Sequence, residues 1–169
     1  MTLGRRFATV DGILREALDR RFSAAVVRIE HEGVPLYERA YGRVRKNDPA
    51  ACAVAPDTMF DLASLTKVFV AALVLSQISR GLYALDAPLR TLFPEWSGTE
   101  HETITARQML AHTAGFQSGA DYRTLLSASV ERFALERPLV AAPGTRVVYS
   151  DLGFIALGVL AARAGGQHT

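Results

Sequence analysis

From Ser64 to Ser79 the chain runs almost wholly apolar, with one lysine, Lys67, a single turn from its start. Arg80-Gly81 follows, and a cation with glycine just beyond it are the usual signals of a helix C-terminus. A helix apolar nearly all round is expected in the core and not on the surface. A lysine on such a helix needs a partner or a task, because an unpaired ammonium is costly to take out of water. The stretch is too short to cross a bilayer, which takes ~20 apolar residues. A folded domain must therefore be built around this helix and must account for its lysine.

The 169 residues, 49% apolar and 21% charged, suffice for one domain with a real core. The net charge is +2, and the basic residues are scattered apart from Arg43-Val44-Arg45-Lys46. Neither nucleic acid nor an anionic membrane is expected as a partner. Cys52 is the single cysteine, so no internal disulfide forms, and a small buried or half-buried thiol is expected. No apolar run of signal-peptide length follows Arg5-Arg6, which makes a soluble, cytoplasmic protein the expectation. The four histidines lack metal-ligand spacing, and no metal or cofactor is expected.

Helical spacing over residues 11–22 places Ile13, Leu14, Ala17 and Leu18 on one face. Ala24 to His31 and Val34 to Tyr41 read as a β-hairpin turning at Glu32-Gly33. Asp86, with Pro88 behind it, reads as the cap of a short helix. Thr105 and Gln108 form a capping box, with Ile104 and Met109 as its hydrophobic staple, opening a helix that ends near His112-Thr113. Residues 122–136 read as a helix stopped by Pro138, and Leu152 to Arg163 as a closely packed one ahead of Gly165-Gly166. Val147-Val148-Tyr149 is briefly extended between them.

Ser64 and Lys67 make a Ser-x-x-Lys motif at the start of the apolar helix. Residues i and i+3 share a helical face, so the ammonium reaches the hydroxyl, which is a poor nucleophile until a neighbour takes its proton. Alone the motif is weak: a chain of this length holds one by chance on the order of once. Ser64 as a mere helix cap with Lys67 reaching out to water is the bland alternative. Tyr149, in Pro143-Gly144-Thr145-Arg146-Val147-Val148-Tyr149-Ser150-Asp151, is a useful base only beside a cation, since a phenol ordinarily titrates near 10. Its bland alternative is an aromatic closing the turn before a helix capped by Ser150 or Asp151.

Taken together these stretches resemble the serine β-lactamase and penicillin-binding-protein superfamily, and within it the class C-like branch that includes esterases and D-aminopeptidases. The strand pair ending at Tyr41-Gly42, Leu85-Asp86, the segment Ile104 to Gly115 and the Pro143-Gly144-Thr145 turn are similar to family landmarks in family order. The likeness runs from about Ser23 to Gln167. It implies a mixed α/β (α+β) fold of the β-lactamase/DD-peptidase type in truncated form: an N-terminal helix and hairpin, then a mainly helical region. Residues 1–169 would be a single, incomplete domain of that type.

By resemblance Ser64 is the acylated serine, Lys67 the lysine that holds and activates it, and Tyr149 the general base. An alternative register aligns Ser150-Asp151-Leu152 with the Ser-Asp-Asn element of class A relatives; the Pro-Gly-Thr turn and Gly153-Phe154 favour Tyr149. Two features depart from the family. Asp151 stands where many class C enzymes carry asparagine, a supporting anion that keeps Lys67 charged. The third motif, Lys-Thr-Gly or His-x-Gly on a C-terminal strand that supplies an oxyanion-hole N–H, is not found. His112 matches a residue in a structural turn, and no Gly-x-Ser-x-Gly elbow accompanies it.

The expected function is hydrolysis of a small-molecule ester or amide through an acyl-enzyme on Ser64, with carboxylic esters first and β-lactams or D-Ala peptides behind. A non-catalytic truncated homologue is the rival. The open sheet is expected to be completed by a C-terminal segment or by self-association.

Overall fold

Glu32 and Gly33 both take positive φ, 51° and 77°, the requirement of a two-residue type I′ turn. They join β1 (Ala24–His31) to β2 (Val34–Gly42), an antiparallel pair that forms a two-stranded sheet. The register steps from Ile29↔Tyr37 to Glu30↔Pro35, leaving Leu36 as the extra residue of a bulge. Proline, which has no N–H to offer the ladder, is tolerated at such a place. This computed structural model describes residues 6–18, 20–119 and 129–166. The chain divides into two units, Met1–Asp61 and Leu62–Thr169, and together they give the mixed helix and strand content expected.

In the first unit α1 (Ala8–Ala17) lies earlier than the 11–22 spacing suggests. Leu18 leaves helical geometry, and the N–H groups of Arg20 and Arg21 fold back onto Ala17 O, because the chain must reverse to enter β1. Asp11 ties this helix to the hairpin: it pairs with Arg15 at 2.8 Å and accepts from the Tyr41 hydroxyl at 2.9 Å. Tyr41 is the buried strand residue. Cys52 corrects the expectation of a sheltered thiol, being exposed. Its carbonyl accepts from Val44 N–H, and Val54 two residues on takes the buried position.

The second unit is helical. A 3₁₀ turn (Ala63–Leu65) leads into α2 (Thr66–Ser79); α3 (Ala106–Leu110), α4 (Val130–Glu136) and α5 (Asp151–Ala164) follow. Its core gathers Val74, Leu89, Phe93, Trp96, Ile104, Met109, Leu152, Leu157 and Leu160, all essentially fully buried. Trp96 stacks on Phe93 with ring centroids 4.1 Å apart and donates Nε1–H to Leu135 O, so its polar edge is satisfied as well as its face.

The expectation of an all-round buried α2 is corrected. Only Val74 and Gln77 are buried, while Leu65, Val68, Phe69, Leu73 and Leu75 are exposed. One face is covered, by α5, where buried Gln77 donates Nε2–H to Ala161 O and accepts from the Tyr83 hydroxyl. The apolar pattern reports what the opposite face is suited to touch, and among the described residues of the Leu62–Thr169 unit none supplies it.

Asp86 is a second correction. It caps no helix and instead holds Arg107 through two hydrogen bonds, of 2.6 and 2.9 Å. Pro88 sits in a bridge to Thr105 ahead of a 3₁₀ turn at Leu89–Thr91. The capping box of α3 forms as read, with Thr105 Oγ1 accepting from Gln108 N–H and Gln108 Oε1 accepting from Thr105 N–H.

Of the 122–136 helix, the part from Val130 is present as α4, capped by Ser129, whose Oγ accepts from Arg132 N–H; residues 120–128 lie outside the described ones. Ser150 caps α5 through Gly153 N–H. No described helix is long and apolar enough to cross a membrane.

Candidate active site

The residue before Ser64, Ala63, has φ 45°, a left-handed conformation costing a non-glycine residue roughly 1–2 kcal/mol. The strained turn sets Ser64 at the mouth of α2, and Lys67 follows on the same face with Nζ 3.5 Å from Ser64 Oγ. An open hollow of about 680 Å³ lies over them, lined by Ser64, Lys67, Val70, Asp151, Phe154 and Ile155 among others.

Tyr149 arrives from a different segment, held on a rail formed by residues 112–118. Gly144 N–H donates to Thr113 O, Val140 N–H to Gly115 O, Val148 N–H to His112 O and Asp151 N–H to Ser118 O. The rail needs a glycine at 115: φ is 90°, and a Cβ there would stand 2.0 Å from Ala141 O. The capping hydroxyl of Ser150 also donates to Gln117 O at 2.6 Å. The outcome is a Tyr149 hydroxyl donating to Ser64 Oγ at 2.8 Å.

Lys67 is the electrostatic centre. Its side chain is only 16% exposed and donates to Asp151 Oδ1 at 2.5 Å. Its ammonium lies 4.8 Å from the Tyr149 ring centroid and 5.8 Å from that of Phe154, within cation–π range. Burial works against the charge on Lys67, but the hydrogen bonds with Asp151 and Tyr149 and the pull of their charge outweigh it and hold Lys67 above its ordinary value. The Tyr149 phenol is shifted the other way: hydrogen bonding with Ser64, then with Lys67, draws it below 10. The two shifts widen the pH range in which a phenolate stands beside an ammonium.

The structure thus brings together all four residues singled out in the sequence, Ser64, Lys67, Tyr149 and Asp151. Ser150 belongs to the cap of α5 and is buried, which leaves the tyrosine facing the serine. His112 is the residue whose part the sequence reading missed. It packs its ring on Tyr149 and on Phe154, with centroids 4.6 and 5.0 Å away. The sequence signal was there: a non-glycine residue directly past the capping-box helix, where glycine is usual. Among the described residues no cluster of three or more metal-ligating side chains occurs.

Known proteins carry the same frame. The chain is 34% identical to the esterase EstB of Burkholderia gladioli, an alignment covering 95% of this chain and 46% of the relative. The crystal structure of a class C β-lactamase superposes with a TM-score of 0.79 at 25% identity, over 99% of this chain and 46% of that one. A D-alanine carboxypeptidase of Burkholderia cenocepacia superposes with a TM-score of 0.69 at 26% identity, over 98% and 43%. The chain spans less than half the length of each. The family model described as Beta-lactamase matches residues 10–169, and with the fold in agreement, the chain belongs to that family.

Proposed function

We propose that this chain carries the acylation machinery of a serine hydrolase that acts on carboxylic esters. The observation that carries the proposal is the 2.8 Å approach of the Tyr149 hydroxyl to Ser64 Oγ beside a Lys67 that is already neutralised by Asp151. A lysine paired in this way stays an ammonium and is a poor base; the phenol drawn below its ordinary value is the better one. In its phenolate form Tyr149 accepts the Ser64 O–H proton as Oγ attacks the ester carbonyl. The tetrahedral intermediate collapses with that proton passing from Tyr149 to the departing alkoxide, leaving acyl-Ser64 and an alcohol. A water deprotonated by Tyr149 then attacks the acyl group, and Ser64 recovers its proton as the acid leaves.

Ester substrates rank first because Asp151 replaces the asparagine of many class C enzymes and because the similar protein EstB is an esterase. β-Lactam and D-Ala-peptide hydrolysis rank behind. Turnover is to be measured on the longest natural polypeptide that contains these residues. There, p-nitrophenyl butyrate is expected to be hydrolysed faster than nitrocefin, and a clear preference for nitrocefin reverses the ranking. The rival reading, a non-catalytic homologue, predicts turnover of neither.

Asp151→Asn gives a separate test by pH. Asp151 raises Lys67 and, by its charge, also raises Tyr149. Activity needs Tyr149 deprotonated and Lys67 protonated, so it rises with pH through the tyrosine's titration and falls through the lysine's. Removing the anion lowers both, and the whole bell-shaped profile of kcat/KM is expected to move toward acid. A profile that stays in place, or moves toward alkali, contradicts the assigned roles.

A further inference from the structure

His112 grips the tyrosine's segment at three points. It lies directly past α3 with φ 57°, where Thr113 N–H returns to Gln108 O and His112 N–H to Met109 O, the paired bonds of a Schellman turn. That turn aims both its carbonyl and its ring at residues 148–150. The carbonyl accepts from Val148 N–H at 2.8 Å, and Nδ1 accepts from Ser150 N–H at 3.1 Å. The N–H groups on either side of Tyr149 are therefore bound to one residue, whose ring also lies against the tyrosine's own. Tyr149 itself is 49% exposed, so neighbouring side chains cage it only in part and its backbone anchors decide where the phenol points.

We propose that His112 is a positioning residue for the acylation step: it fixes Tyr149 with its oxygen on Ser64 through the bond from Ser150 N–H to Nδ1. The inference rests on the reading of Tyr149 as the base. An Nδ1 that accepts carries no proton, so the ring is neutral with its proton on Nε2. Burial and the Lys67 ammonium favour that neutral form, against the smaller opposing pull of Asp151. Glycine or asparagine is the ordinary occupant of a left-handed position past a helix. Glycine would make the turn with less strain but has no acceptor to offer Ser150.

That contrast supplies the test. His112→Gly relieves the left-handed strain and keeps the carbonyl, so folding is preserved while Nδ1 and the ring are lost. His112→Asn is tolerated in the same conformation and puts Oδ1 at the same number of bonds from the backbone as Nδ1. Ser64 acylation by a fluorophosphonate is timed in the full natural polypeptide, and the Tyr149 phenol is titrated by ¹³C NMR of labelled tyrosine, its signal assigned by its loss in Tyr149→Phe. His112→Gly is expected to acylate about 10–10²-fold more slowly, the scale of loss from a small misplacement of a reacting group. Its Tyr149 should titrate at higher pH, while its melting temperature is preserved. His112→Asn should recover most of the rate. Wild-type acylation and an unchanged tyrosine titration in His112→Gly would overturn the proposal, and so would an asparagine variant no better than glycine. Tyr149→Phe, run alongside, separates the two readings. If it acylates normally, the base assignment falls and takes the His112 inference with it. If it is slow while His112→Gly is normal, only the inference falls.

Discussion

Replacing Tyr149 by phenylalanine is expected to slow acylation of Ser64 by roughly 10²–10⁴-fold, the usual span for losing general acid–base help. The fold should barely register the change. Only a hydroxyl is removed, from a half-exposed side chain, and the ring that packs on His112 stays. Single-turnover acylation, with a melting curve on the same sample, separates chemistry from folding. A phenylalanine variant that acylates at the wild-type rate would move the base role to Lys67. That assignment is hard to reconcile with a lysine held charged by a carboxylate at 2.5 Å.

The second large effect concerns residues 1–169 expressed by themselves, which are expected to be inactive and prone to associate. Among the described residues the sheet has two strands, and a lone hairpin is marginal in water and offers unpaired edges to other chains. Exposed Leu65, Val68, Phe69, Leu73 and Leu75 on or beside α2 add apolar surface of the kind that drives association. Chemistry is limited independently: the resemblance assigns one oxyanion-hole N–H to a strand motif these residues lack, and one such donor is typically worth about 10²–10³ in rate. Size-exclusion chromatography, a thermal melt and an ester assay check this together. A monodisperse monomer with a sharp transition and Ser64-dependent turnover would contradict it.

What was legible in the sequence were features whose cause is local. The hairpin was readable because a left-handed turn needs residues such as Gly33, and the α3 start because Thr105 and Gln108 satisfy each other's backbone across three residues. Ser64 and Lys67 were legible as a pair because helical spacing alone puts them together. Tyr149 was not: 85 residues separate it from Ser64, and only family likeness joined them before the rail along residues 112–118 did so in space. Reading failed where a residue's partner lies far along the chain. Asp86 has the composition of a cap but finds Arg107, and Cys52 has a thiol's preference for the interior but sits on a loop whose buried place goes to Val54. The apolar run of α2 was read correctly as a sequence and wrongly as a location, since hydrophobicity states what a surface is suited to and not what meets it.

The central claim is that Ser64 is the nucleophile. Incubate the full natural polypeptide with a fluorophosphonate, digest it, and locate the adduct by mass spectrometry. The account predicts one modified residue, Ser64, with labelling abolished in Ser64→Ala and strongly slowed in Tyr149→Phe. An adduct on another serine, or undiminished labelling of Ser64→Ala, would contradict it.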